Sequence, residues 1–361
     1  MSNEILDIEE LKQRKYYTFT KAFLTLLLKG DIYLWNQYRN NIGLLYKIAG
    51  LTDAVPTPAY DRTGTFESPI SVIPSPPIPD HSGFKKTFKE VALERAAEII
   101  KTGRPIDIFW SGGIDSTCIL IAFLMVAKDK GQITIKMNNK SIRENPQFFK
   151  DHIENKLYYE AHEIHFNLKV TPQDSIGVSG YGAHSIFGTN RDFDGKGNDD
   201  WHTFYNRSNL MEQLELLASK SPIPIKTVFD MNWWIRFTLL YEDTKRYSLA
   251  SMRIRNKDDF DSWQPFFLSP DFDRWVLTNP EQRISGEYES YKRPERDLIY
   301  EYTKDSHYRD TKLAHPSSPR RAPLFYDQIF PYRYHALDEN FNQISNKQLM
   351  ELYNRISSSK P

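Results

Sequence analysis

Two serines, two glycines and an aspartate crowd residues 111–116, inside the stretch "PIDIFWSGGIDSTCILIAFLMVAKDKG" that covers 105–131. A β-like run, "DIFW", precedes them and a long apolar run follows, so the turn joins the carboxyl end of a buried strand to a helix N-terminus. Such a turn exposes backbone N–H groups beside the positive end of a helix dipole, a setting that suits an anion and phosphate above all. Gly112 and Gly113 let the backbone approach a ligand with no Cβ in the way. Ser111 and Ser116 offer hydroxyl donors, and Asp115 can hold a cation that bridges phosphates. The spacing is neither G-x-G-x-x-G nor G-x-x-x-x-G-K-S/T. From its residues the turn reads as a pyrophosphate cradle with a metal carboxylate.

The elements that must position this turn are written in the flanking residues. "FKKTFKEVALERAAEIIKTG", from residue 84, predicts an amphipathic helix that ends at Gly103. "DIFW" predicts a buried strand, residues 116–128 a helix, and "QITIKM", 132–137, a second strand rich in β-branched residues. Strand, helix and strand within about 30 residues make a βαβ unit, so a parallel sheet is expected. Ahead of it, residues 16–49 carry apolar residues at three and four spacing with a Gly-Asp break near Gly30, which predicts two short helices. Prolines at 56, 58, 69, 74, 76, 77 and 79 make 51–83 an extended linker or a surface strap. Three regions result: a helical N-terminal region over 1–50, the proline-rich strap over 51–83, and an α/β domain over 84–361.

The 361 residues carry 47 Lys+Arg and 47 Asp+Glu, so no global field draws the chain to nucleic acid or to an anionic membrane. No run reaches the roughly 18 apolar residues of a membrane span, and "MSNEILDIEELKQRKYYTF" is not a secretory signal. Cys118 is the single cysteine. It excludes intrachain disulfides and a Cys-x-x-Cys zinc or persulfide pair, and a reducing cytoplasm is the expected compartment.

"SGGIDST" resembles the S-G-G-x-D-S signature of the PP-loop ATP pyrophosphatases. The resemblance implies an α/β fold, a parallel sheet with helices on both faces, that binds ATP and magnesium and breaks the α–β bond to release AMP and pyrophosphate. Sulfur-transferring members of that superfamily use paired cysteines, which this chain lacks. Three further stretches resemble the synthetase domain of the asparagine synthetase and β-lactam synthetase family, in family order, over about residues 84–320. "VSGYGAHSIFG", 178–188, is similar to its G-x-G-x-D-x-x-x-G loop; "SWQPFFLSPDFDRWVLTNP", 262–280, to its R-x-P-F-L-D segment; "YRDTKLAHPSS", 308–318, to its R-P-K-x-G stretch. The resemblance implies an ATP-dependent carbon–nitrogen ligase that activates a small carboxylate as an acyl-adenylate for attack by ammonia or an amine.

That resemblance assigns roles. ATP phosphates lie on Ser111, Gly112, Gly113, Asp115 and Ser116, with Asp115 on magnesium, Gly180 completing the site and adenine on the backbone near Met137. Tyr181 stands where β-lactam synthetases place a catalytic tyrosine, and Lys312 meets the activated intermediate. A tyrosine with an ordinary pKa near 10 needs a neighbour to act as a base, and Glu242 or Asp243 is expected to be it. The chain also departs from the family. His184 replaces a metal-binding aspartate, and imidazole is a poor magnesium ligand, which leaves three expectations: Asp174, Asp192 or Asp194 substitutes, the site holds fewer ions, or catalysis is impaired. Trp263 replaces the arginine of R-x-P-F. Ser2 follows Met1, and 83 residues are too few for the family's glutaminase domain, so nitrogen comes from free ammonia, a separate glutaminase or an amine on the substrate. Two alternatives remain open: a nucleotide-binding scaffold without turnover, and nucleobase modification by the same chemistry, against which the neutral charge argues for tRNA. His162 and His165 face opposite sides of a strand and make no metal site; Trp233 and Trp234 are expected in the core.

Overall fold

The computed structural model describes residues 7–19, 21–28, 61–66, 68, 70–162, 174–189, 193–206, 210–242, 245–246, 256–287, 289–312 and 334–358. It begins with helix α1 (Ile8–Gln13), capped by Asp7, whose carboxylate accepts from the Glu9 N–H at 2.7 Å. Strand β1 (Tyr16–Phe19) and helix α2 (Lys21–Leu27) come next. The strand corrects the expectation of helix from residue 16. "YYTF" is aromatic and β-branched, and pairing with a distant strand overrides the helical spacing. The second predicted helix lies outside the described residues.

Over 70–83 the strap forms no helix, its Val72 makes an isolated bridge to Tyr16, and arginines tie it down, because its prolines leave carbonyls but few N–H groups to pair. Arg62 donates to the carbonyls of Pro76 and Pro77, at 2.8 and 3.2 Å, and to Asp273 Oδ2 at 2.5 Å, with its guanidinium 3.7 Å from the centre of the Tyr241 ring. Arg246 donates to the Ile73 carbonyl at 2.6 Å and to that of Tyr17 at 3.2 Å.

Helix α3 (Phe88–Ile100) is the amphipathic helix expected from residue 84 to Gly103 but starts later, at a capping box between Thr87 and Glu90, and ends three residues before Gly103, whose φ is +72°. Then come β2 (Ile106–Phe109), α4 (Ile114–Val126), β3 (Ile133–Asn138), α5 (Asn139–Glu144), β4 (Tyr158–His162), β5 (Ile176–Ser179) and α6 (Ala183–Phe187). The chain continues through α7 (Met211–Ser219), α8 (Val228–Leu239), β6 (Trp263–Pro265), α9 (Pro270–Thr278), α10 (Arg293–Thr303) and α11 (Ser306–Thr311). It closes with β7 (Tyr334–Asp338), β8 (Gln343–Ser345) and α12 (Asn346–Ser358).

Five strands form one parallel sheet in the order β4-β3-β2-β5-β6, flanked by helices, as the βαβ pattern predicts. Ile106 stands level with Ile133 on one side and Ile176 on the other, and with Ile108, Ile135, Met137 and Val178 these fill the core. Helix α4 is apolar around nearly its whole circumference because it packs on α3 and α10 as well as beneath the sheet. Trp233 and Trp234 are core residues, with indoles donating to the Ile186 and Leu217 carbonyls at 3.1 and 2.8 Å. A second, antiparallel sheet joins the two ends of the chain, in the order β1-β7-β8.

The chain runs from β2 outward to β3 and β4, then returns to place β5 on the other side of β2. The strand order therefore reverses between β2 and β5. Open parallel sheets bind ligands in the crevice at the carboxyl ends of such a strand pair.

Candidate functional site

Residues 110–113 leave the carboxyl end of β2 at that crevice. The Trp110 N–H still donates to the Lys136 carbonyl at 2.9 Å, and its indole donates to Thr117 Oγ1 at 3.0 Å, which ties the turn to α4. The two serines then fold the turn on itself. The Ser111 N–H donates to Ser116 Oγ at 3.0 Å, the hydroxyls lie 3.0 Å apart, and the Gly113 N–H donates to Ser111 Oγ at 3.3 Å. Gly113 caps α4 with no side-chain hydrogen bond, so the first N–H groups of that helix keep their capacity for an anion.

Two glycines are demanded by close approach. Gly112 has φ +81°, and a Cβ there would stand 2.3 Å from the Ser141 carbonyl oxygen and 2.8 Å from Glu144 Cβ. A Cβ on Gly180, in the loop after β5, would stand 2.9 Å from Asp115 Cβ. The second loop thus lies against the first.

Across from the turn, α10 contributes charge. The Lys292 ammonium is ion-paired with Asp115 Oδ1, the lysine standing at the N-cap of α10 with φ +50°. Burial works against the charge on Lys292, but the Asp115 carboxylate leads the groups that outweigh it and hold the ammonium protonated. Glu295 is fully buried, no donor of another residue reaches its carboxylate oxygens, and the group against them is the Asp115 carboxylate, to which only a proton on one of the two acids can link it. Burial first, and then the Asp115 charge, push its pKa well above the carboxylate range. On the other side of the turn, Lys312 pairs with Glu144 and donates to its backbone carbonyl at 3.1 Å. Burial likewise pushes up the Cys118 thiol, which leaves it inert as a nucleophile.

The structure brings Ser111, Gly112, Gly113, Asp115, Ser116 and Gly180 together, and sets Lys312 beside them through Glu144. Tyr181 follows Gly180, half-buried, its ring 6.4 Å from that of Trp263. Met137 buries its side chain in the core and stands level with Ala161 of β4, one residue before β3 ends. Glu242 is buried and ion-paired with Arg246. Its carboxylate accepts from Arg246 Nη2 at 2.6 Å and Nε at 3.1 Å, and Arg246 in turn holds the strap and β1, so Glu242 serves as a structural counter-ion. Among the substitutes for His184, Asp174 precedes β5 and so stands at the amino end of the sheet, away from the turn. Asp194 is exposed, and Asp192, Asp243 and His165 lie outside the described residues.

Sequence reasoning missed Lys292, Glu295 and Glu144. The run "YKRPERD" carried one signal, a proline after Arg293 that marks a helix start with Lys292 at its cap. Nothing local pointed to Asp115.

Chemically, the arrangement offers N–H groups and hydroxyls to an anion, a half-open carboxylate to a cation, and two lysines to spread negative charge. Among the described residues no group of three or more His, Cys, Asp or Glu is placed to hold a metal. Asp115 nevertheless fits a magnesium ion that arrives with phosphates, which needs only one or two protein carboxylates. Among the described residues no helix is long and apolar enough to cross a membrane. Compared with models of known protein families and with curated proteins, the chain matches none.

Proposed function

We propose that the chain is an ATP-dependent carbon–nitrogen ligase, joining a small carboxylate to ammonia or an amine with release of AMP and pyrophosphate. One observation carries the reading: a Ser-Gly-Gly turn at the carboxyl end of β2, where the strand order reverses, with Asp115, Lys292 and Lys312 around it. In this reading the turn's N–H groups and the hydroxyls of Ser111 and Ser116 hold the phosphates. Asp115 would hold a magnesium ion, which would supply charge neutralisation to those phosphates. A substrate carboxylate oxygen bonds to the α-phosphorus as the bond to the β-phosphate oxygen breaks, and pyrophosphate leaves. The amine nitrogen then bonds to the acyl carbon as the bond from that carbon to the AMP oxygen breaks, and the proton the amine sheds leaves with the AMP phosphate or passes to solvent. Tyr181 accepts a hydrogen bond from that amine, and Lys312 stabilises the oxyanion of the addition step.

The products test it. Incubation with ATP, magnesium, ammonium and a panel of carboxylates beginning with aspartate should yield AMP that depends on one of the acids, read by ion-exchange chromatography. ADP in place of AMP would contradict the proposal. Bound ATP with neither product would favour the scaffold reading instead.

A further inference from the structure

Asp115 and Glu295 stand against each other at the turn, and their environments differ. The Asp115 side chain is 27% exposed and forms the open lip; Glu295 is 0% exposed and forms the floor. No donor reaches either oxygen of Glu295. Two carboxylates in contact with no donor between them require something positive, a proton or a cation. A cation already sits at the lip, since the Lys292 ammonium is paired to Asp115. Neither His184 nor Asp174 offers a second hard oxygen ligand, the first being an imidazole and the second standing at the far end of β5.

We infer that Asp115 and Glu295 form the carboxylate pair of a divalent-cation site that fills together with the nucleotide, with Glu295 supplying the ligand at the buried end. This rests on the nucleotide reading of the turn. Glu295 gives up its proton to solvent as the ion seats, so that two negative charges match a divalent ion, and the Lys292 ammonium displaced from Asp115 turns to the nucleotide's phosphates. The protein carboxylates and the phosphate oxygens together complete an oxygen-only shell, which magnesium and manganese both accept.

The test is manganese binding, followed as the loss of the free-ion electron paramagnetic resonance signal in the presence of a non-hydrolysable ATP analogue. Glu295→Gln is the informative variant, because its amide can donate to Asp115 as a protonated acid would and so preserves a purely structural contact. The expected result is a manganese dissociation constant raised about tenfold or more, with metal-free analogue binding within about twofold of the native protein and the melting temperature nearly unchanged. Glu295→Asp, which withdraws the carboxylate by one methylene, should weaken manganese by less. Native-like manganese affinity in Glu295→Gln would overturn the inference and leave Glu295 holding a proton. Equal losses of manganese and metal-free analogue binding would overturn it too. If the native protein itself binds no analogue, the nucleotide reading falls and this inference with it.

Discussion

At the scale of single residues, Gly112 and Gly113 separate two demands that the sequence presents as one. Gly112 has φ +81° and no room for a methyl group beside Ser141 and Glu144, whereas Gly113 has φ −77° and only Ser111 Oγ, at 3.3 Å, near its absent Cβ. Gly112→Ala should lower stability by about 2 kcal/mol or more and abolish nucleotide binding, while Gly113→Ala should cost less than about 1 kcal/mol. Thermal melts with and without ATP read both effects. Lys312→Ala should leave the fold intact, since it removes a half-buried pair with Glu144, yet lower turnover on the order of 100-fold, as loss of one charge-stabilising donor does. The turn was legible as a strand-to-helix junction because its parts are consecutive in the sequence, between β2 and α4. Lys292 and Glu295 were not legible, because their meaning lies in Asp115, 177 residues from Lys292 along the chain. The Glu242 pair with Arg246 is local, four residues along the chain, but the contact of Arg246 with the strap at Ile73 was not legible.

At the scale of elements, the buried pair between Arg62 and Asp273 fastens the strap to α9. Burial pushes the Asp273 carboxyl up to about 6, with Arg62 opposing. The native state therefore keeps a proton that the unfolded chain releases near pH 4. The contribution of this group is full below pH 4 and is lost as pH rises through 6, on the order of 2 kcal/mol in all. Asp273→Asn should flatten that part of the stability–pH curve, measured by urea denaturation between pH 4 and 7. Arg62→Ala should cost about 3 kcal/mol or more at neutral pH, because it strands a buried carboxylate and leaves the Pro76 and Pro77 carbonyls without their donor. The βαβ elements were readable, since α3 carries its own periodicity, β3 alternates, and β2 and α4 are apolar runs set apart by the glycine turn. Strand β1 was not, because "YYTFTKAFLTLL" also fits a helix and the partner that decides, β7, begins at Tyr334.

At the scale of the whole molecule, the site depends on strand order, and the ends of the chain depend on each other. A parallel sheet could be expected from one βαβ unit, but the reversal between β2 and β5, which makes the crevice, comes from pairings that no local pattern contains. The small sheet of β1, β7 and β8 was invisible for the same reason. Asp338, fully buried, holds it together by accepting from Arg14 Nη1 at 2.9 Å and from the N–H groups of Asn340 and Asn342 at 2.9 and 2.8 Å. Asp338→Ala should cost about 2 to 4 kcal/mol in denaturant melts while leaving ATP affinity at the turn unchanged in protein that remains folded. The most direct measurement on the site is ATP–pyrophosphate exchange with magnesium across the carboxylate panel, comparing the native chain with Asp115→Ala and Lys292→Ala. Exchange that requires one carboxylate and vanishes in Asp115→Ala is the expected result. Exchange that persists in Asp115→Ala, or ATP consumed as ADP and phosphate, would contradict adenylation at this turn.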